Sequence, residues 1–285
     1  MKIAIAYDML RFEEKALINE AQKLSIPIET LHVDSVWFTL DAAHLSPREE
    51  YGTLLQRCVS HARGLHVSAI FGEFGIPTIN SYEVAAICDD KILTTLRLAK
   101  HRIPTPKTRV AFDQEQALKA LEELGYPAVI KPIVGSWGRL VAKVRDREEA
   151  SAIIESRISG SNPNDHIFYL QEYVKRPERD IRAIVVGDEI VTTVYRYQPP
   201  NDWRTNVARG GISEEARLTN TETELILKAA DAIGGGILGI DAMESPTGLV
   251  IHEVNSTVEF RGASTVSKNN IAKKMIEYAL RVAKK

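Results

Sequence analysis

Two apolar runs, Ile237-Leu-Gly-Ile-Asp241 and Gly248-Leu-Val-Ile-His-Glu-Val-Asn255, constrain this chain more than any other feature. Rich in Ile, Leu and Val, they read as adjacent strands with acidic groups where the apolar stretches end. Residues i and i+2 of a strand share a side, so Glu253 and Asn255 point together and Asp241 joins them from the neighbouring strand. Two carboxylates and an amide oxygen are hard donors, the kind that hold Mg²⁺ when substrate phosphates complete its shell. A surface hairpin with two solvated carboxylates has the same local pattern, so residues upstream must separate the two readings. His252, next to Glu253, is expected to face the other way and to serve in packing.

With 285 residues the chain is long enough for one large domain or for two to three smaller ones around a sizeable core. A net charge of −2 excludes a molecule built as a whole for nucleic-acid backbones. Cys58 and Cys88 form neither a metal-type spacing nor a disulfide framework, which points to a reducing cytoplasm. No apolar run approaches the roughly 20 residues of a membrane span. The N-terminal Met-Lys-Ile-Ala-Ile-Ala6 is too short for a signal peptide and reads as a buried first strand.

Three parts are expected. Residues 1–85 alternate strands at 2–6, 28–33 and 78–80 with helices at 13–24 and 61–74, a βαβ rhythm that implies a small parallel sheet. A single helix over 83–101 follows, stopped by Ile103-Pro-Thr-Pro106. The second part, 86–175, carries a helix at 113–124 and strands at 128–131, 140–144 and 168–173. The third, 176–285, carries strands at 180–186 and 189–195, a helix at 221–233, the two acidic strands, and a helix at 270–283.

Cationic and glycine positions then fall into a pattern. Lys131 ends the strand Ala-Val-Ile-Lys131, so its ammonium emerges from a sheet, where a compact charge suits phosphate. Gly135-Ser136-Trp137-Gly138-Arg139 is a turn whose glycines let backbone N–H groups converge on an anion. It is not a Walker loop, since Gly-Lys-Ser/Thr is absent and a strand follows. Gln171-Glu172-Tyr173-Val174 pairs an acid with an apolar stretch, a combination that holds a nucleobase and its ribose. Arg182, Arg196, Arg204 and Arg209 then suggest a clamp for carboxylate and phosphate, a solvated basic face being the alternative.

Together these residues resemble the ATP-grasp ligases, and the order of elements matches over nearly the whole chain. Within them the chain resembles the RimK-type branch, and most of all the LysX-type enzymes, which join α-aminoadipate to the C-terminal glutamate of the carrier protein LysW. The narrower likeness rests on Gln56-Arg-Cys-Val-Ser60, Cys88-Asp-Asp-Lys91, Lys131-Pro-Ile-Val-Gly135-Ser-Trp-Gly-Arg139, Glu178-Arg-Asp-Ile-Arg182, Asn206-Val-Ala-Arg-Gly-Gly211 and Glu253-Val-Asn-Ser-Thr-Val-Glu-Phe260.

The resemblance implies an α+β ATP-grasp fold: an N-terminal Rossmann-like pre-ATP-grasp domain followed by two α+β ATP-grasp subdomains. It implies that Lys91 and Lys131 contact ATP phosphates beneath the loop at 135–141. Gln171, Glu172, Tyr173, Val174, Arg179, Asp180 and Arg182 would line the nucleotide pocket, with Arg196 and Asn206 beside the γ-phosphate. Asp241, Glu253 and Asn255 would bind Mg²⁺, and Lys131, Arg196 and Asn206 would be the catalytic groups. The amino-acid substrate would meet Arg204 or Arg209 and the segment Glu259, Phe260, Arg261, Gly262 and Ala263. The implied partners are an acidic LysW-type carrier and a second copy or more of the chain, as a dimer or tetramer. Seven Lys and Arg residues against one acid in residues 261–285 could steer such a carrier, or could be a solvated helix face. After Glu259-Phe260-Arg261 the LysX-type enzymes resemble Asn-Thr or Asn-Ser, and the glutamate-using ArgX-type enzymes Gly-Phe. This chain has Gly262-Ala263, matching neither and leaving room for both amino acids.

Overall fold

The computed structural model describes residues 1–41, 50–135, 138–200, 202–205 and 212–284. The chain opens with β1 (Lys2–Tyr7), α1 (Phe12–Lys23), β2 (Ile28–His32), β3 (Tyr51–Gln56), α2 (His61–Glu73) and β4 (Thr78–Ile79), which form a parallel sheet of order β2-β1-β3-β4. Strand β3, fully buried beside β1, was not anticipated in the sequence. Its Gly52 is there for a steric reason, because a Cβ would come within 2.6 Å of the Ala283 Cβ.

The helix expected over 83–101 is two helices, α3 (Tyr82–Asp89) and α4 (Lys91–Lys100). Asp90 is extended between them, and its Oδ1 accepts the backbone N–H groups of Ile92 (2.7 Å) and Leu93 (3.1 Å). An aspartate that caps a helix competes with continuing one. The break makes Lys91 the first residue of α4, and its backbone N–H donates to the Ile133 carbonyl (3.0 Å).

Next come β5 (Thr108–Ala111), α5 (Gln114–Leu124), β6 (Ala128–Lys131), β7 (Ala142–Val144), α6 (Arg147–Ile158) and β8 (Phe168–Glu172), an antiparallel sheet of order β5-β8-β6-β7 with its own core. Helix α6 was not anticipated. The strand expected at 140–144 starts only at Ala142, because Leu140 has a positive φ of 55°. The last sheet, order β11-β10-β9-β12-β13, is built from β9 (Arg179–Val186), β10 (Glu189–Tyr197), β11 (Ser213–Glu215), β12 (Ile237–Ser245) and β13 (Gly248–Asn255), with α7 (Asn220–Ile233) between β11 and β12. Helices α8 (Arg261–Ser264) and α9 (Ile271–Val282) follow.

The last sheet is apolar on both faces. Ile181, Ala183, Val185, Leu238 and Ile240 pack under α3, α4 and α7. Ile184, Val186 and Ile237 join Ile3, Ile5 and Leu17 of the first lobe through Met275, Ile276 and Ala279 of α9. Alternation along β9 and β12 therefore places Arg182, Gly239 and Asp241 on the face that turns toward the first lobe.

Asn80 pins the two lobes where they meet. Its amide nitrogen donates to the carbonyls of Ile237 and Ser256 (both 2.7 Å), and its oxygen accepts the Ile237 N–H (2.7 Å). Truncation would strand two buried backbone groups of Ile237 and the part-buried Ser256 carbonyl. Asn80→Ala is expected to lower stability by about 3 kcal/mol in chemical denaturation; a loss under about 1 kcal/mol would mean that water or a shifted backbone satisfies them.

Candidate active site

Strand β12 lies between β9 and β13, with Asp241 opposite Arg182 on one side and Glu253 on the other. Asn255 is opposite Gly239 and so on the same face as Glu253. Arg182 holds Asp241 through two charged hydrogen bonds, the Nη2–Oδ2 one at 2.7 Å, and Arg196 Nη2 approaches Oδ1 at 3.1 Å. Burial alone would raise the Asp241 pKa, but the two guanidinium groups outweigh it and hold the carboxyl well below its usual range. Arg196 is itself paired in register across β9 and β10 with Asp180 (2.8 and 2.9 Å), and burial fails to lower its pKa against these acids.

Lys131 reaches the same region from β6. Its ammonium is buried and donates to Gln171 Oε1 (2.7 Å), whose amide nitrogen donates to Tyr169 Oη (3.0 Å) and Thr108 Oγ1 (3.1 Å). Burial lowers its pKa to about 8, with Glu253 opposing and Lys91 assisting. Lys91 Nζ donates to the Gly135 carbonyl (3.0 Å) and lies 3.8 Å from Glu253 Oε1. Lys91, Lys131, Arg182 and Arg196 thus face Asp180, Asp241 and Glu253, and the balance favours an anion.

His252 departs from expectation. The β12–β13 ladder slips by one residue between Asp241 and Ala242, a bulge that breaks strict alternation, and His252 lines the same cavity as Glu253. Both ring nitrogens are buried without a hydrogen-bond partner among the described residues. Burial, then Lys131, lower its pKa to about 3, so it is neutral.

Two cavities meet at Lys91, Gly135, Arg196, Asp241 and Glu253. The first, about 790 Å³ of open space between the second and third sheets, is lined by Lys131, Gly138, Arg139, Gln171, Glu172, Tyr173, Val174, Asp180 and His252. The second, about 2300 Å³, opens between the first lobe and the third sheet, lined by Arg182, Asn255, Glu259, Arg261, Gly262 and Ala263. Several expected residues sit elsewhere. Arg179 lines neither cavity; it pairs with Glu244 (2.8 and 2.9 Å) and covers the Tyr195 ring at 3.7 Å. Phe260 is buried against Phe12 instead of facing substrate. Arg204 lines the first cavity, bonded to Asp202 and the Gly138 carbonyl, rather than the second. Ser136, Trp137, Asn206 and Arg209 lie outside the described residues. In the basic C-terminal segment, Lys268, Lys273 and Lys274 pair with Glu215, Glu277 and Glu189, which favours a solvated face.

The sequence reading missed the first lobe's part in the site. Glu13 Oε1 accepts the backbone N–H groups of Phe260 (3.1 Å) and Arg261 (3.0 Å), and Arg57 donates to the Val258 carbonyl (2.9 Å). Buried Glu14 ties Arg57 to Arg11, which reaches Glu259 at 2.8 Å. A Glu-Glu pair opening a helix looks like a response to the helix dipole, so nothing local signalled this bracing role. Arg176, another lining residue of the first cavity, was also missed.

Two sheets closing on a cationic cleft, with an acidic strand pair at its end, form the frame of an ATP-grasp enzyme. The RimK-like ATP-grasp domain matches residues 88–279, and the LysX preATP-grasp domain matches residues 3–87. The chain belongs to the RimK-like ATP-grasp family, whose ligases use ATP with Mg²⁺. It is 39% identical over 278 residues to the alpha-aminoadipate–LysW ligase LysX of Saccharolobus solfataricus, covering 97% of this chain and 100% of that one. It is 36% identical over 279 residues to the glutamate–LysW ligase ArgX of Sulfurisphaera tokodaii, covering 98% of each. The fold matches a RimK domain ATP-grasp protein from Sphaerobacter thermophilus with a TM-score of 0.78 at 23% identity, over 98% of this chain and 99% of that one. No helix among the described residues is long and apolar enough to cross a membrane.

Because the Lys131 ammonium loses its proton near pH 8 and an added polyphosphate favours the charged form, ATP binding should take up a proton above that pH. ATP affinity is expected to fall as pH rises from 8 to 10, with Lys131→Met flattening the trend; calorimetry in buffers of different ionisation enthalpy measures both.

Proposed function

We propose that this chain joins the α-amino group of α-aminoadipate, with glutamate as the second substrate, to the γ-carboxylate of the C-terminal glutamate of a LysW-type carrier protein. The reaction proceeds through an acyl phosphate with release of ADP and phosphate, as a cytoplasmic step of lysine biosynthesis and, with glutamate, of arginine biosynthesis. The observation that carries the reading is the meeting of the two cavities. A nucleotide in the first would present its terminal phosphate at Lys91, Lys131 and Arg196, where the second cavity can deliver a carboxylate and then an amine.

The carrier carboxylate attacks the γ-phosphate, and ADP leaves. The amine then attacks the acyl carbon, and phosphate leaves. No side-chain nucleophile is required; catalysis rests on positioning and charge neutralisation by Lys91, Lys131 and Arg196. Asp241, Glu253 and Asn255 offer the oxygen donors that Mg²⁺ prefers, two carboxylates and an amide, and suit an ion whose remaining ligands come from phosphates. Bound there, Mg²⁺ would neutralise charge developing on the transferred phosphoryl group.

The acidic amino acid is supported by Arg261, which lines the second cavity and has no ion-pair partner among the described residues. Room for the longer side chain is supported by Gly262 and Ala263 at the same wall.

Glu253→Ala should abolish turnover at saturating Mg²⁺ while circular dichroism and melting remain those of a folded protein. Wild-type activity in that variant would remove Glu253 from the site, and release of AMP and pyrophosphate by the wild type would overturn the ligase reading. A second test concerns specificity. One methylene separates the two amino acids, worth about 10- to 200-fold in a fitted pocket. Ala263→Phe should shift the ratio of kcat/KM toward glutamate within that span, read as a ratio because overpacking also costs stability. Full retention of aminoadipate activity would place residue 263 outside the pocket.

A further inference from the structure

The second cavity carries a titratable pair that the mechanism above leaves unused. His61 is the first residue of α2, set there by Ser60, whose hydroxyl accepts the Arg63 N–H (3.4 Å). Asp89 closes α3, just before the break that makes Lys91 a helix start. His61 Nδ1 meets Asp89 Oδ1 at 2.8 Å, and both residues line the cavity alongside Lys91 and Glu253. The carboxylate is 12% exposed and the imidazole 36%, so the orienting group is sheltered while the ring stays accessible. A carboxylate on Nδ1 keeps the proton on that nitrogen and leaves Nε2 as the acceptor. Among the described residues nothing hydrogen-bonds Nε2.

Resting on the ligase reading, the chemistry has one requirement still unmet. The amino group of an amino acid is an ammonium ion at neutral pH and has no lone pair for attack. Near the shared centre, Lys91, Arg182 and Arg196 are cations, Asp241 is neutralised by two of them, and Glu253 is committed to Mg²⁺ in that reading. We propose that His61 is the general base that takes a proton from the attacking ammonium group, with Asp89 as the residue that positions it. One proton passes from the ammonium to His61 Nε2. The freed lone pair forms the C–N bond to the acyl carbon, and the C–O bond to phosphate breaks with its electron pair going to phosphate. The second proton lost from nitrogen leaves with that phosphate, and the His61 proton returns to solvent.

The charges facing the ring are Asp89 from α3, Lys91 from α4 and Glu253 from β13, while Arg63 on its own helix is turned to Asp34. The Asp89 hydrogen bond raises the imidazole pKa above its ordinary value, against burial and Lys91, with Glu253 adding to the rise. The basic form is therefore present above that raised pKa and lost as pH falls through it, which sets the acid limb of kcat/KM for the amino acid.

Hydroxylamine separates this role from binding or folding, because it is a weak base and already unprotonated at neutral pH. With ATP, Mg²⁺ and a LysW-type carrier as the carboxylate, His61→Gln should lower amide formation with aminoadipate about a hundredfold at neutral pH while hydroxamate formation stays within about twofold of wild type. The amide defect should shrink as pH rises and free amine accumulates, and Asp89→Asn should move the acid limb to lower pH. Equal loss with both nucleophiles, or an unchanged amide rate and pH profile, overturns the proposal. If wild-type protein makes neither product, the ligase reading itself falls, and this assignment with it.

Discussion

A buried carboxylate between two guanidinium groups, Asp241 with Arg182 and Arg196, is the interaction on which the rest of the site depends. Removing such a charge from water is costly, and only well-placed partners keep it ionised. Those partners come from β9 and β10, so the carboxylate is correct only if several strands hold their register. A slip of β12 by one residue would turn Asp241 to the other face, away from Arg182 and Glu253. The apolar positions between them, Ile181, Ala183, Leu238 and Ile240, oppose that slip because it would expose them. The chemistry is thus indexed by the core behind it.

The same logic extends across the lobes. Residues 256–260 follow β13 directly and belong to no strand or helix until α8 begins at Arg261. Their backbone is held by Glu13 and Arg57 of the first lobe, and Arg11 fixes Glu259. The wall of the second cavity is therefore made in one lobe and braced by another. Backbone contacts of this kind leave a side chain such as that of Arg261 free to vary with substrate.

Much of this was legible in the sequence where local pattern and final geometry agree. The acidic strand pair, Lys131 at its strand end and the βαβ rhythm depend on alternation and short-range turns, which the residues state directly. The failures share a cause. The break at Asp90 was hidden because apolar spacing runs through it, and only the aspartate's capping bonds stop the helix. Strand β3 was hidden because its glycine answers to Ala283 of a distant helix. His252 was misplaced by a bulge, which alternation cannot foresee. Phe260 and Arg179 looked like site residues by their neighbours in sequence, yet one fills the core and the other stacks on Tyr195. His61 and Asp89 are far apart in the chain and meet only once α2 and α3 are packed.

The core that joins Ile3, Ile5 and Leu17 to Met275, Ile276 and Ala279 carries a consequence for how the molecule comes into being. The parallel sheet of the first lobe is complete in hydrogen bonds once β4 has formed, but the face that Leu17 and Ala21 of α1 begin to cover is not closed until α9 arrives. During synthesis that face waits, apolar and only part-covered by α1, while the middle lobe, with its private core, can already close on itself. The earliest strands of the chain thus gain their last packing partner only with the closing helix, and the lobe that supplies the braces is itself finished by the helix that follows the wall it braces.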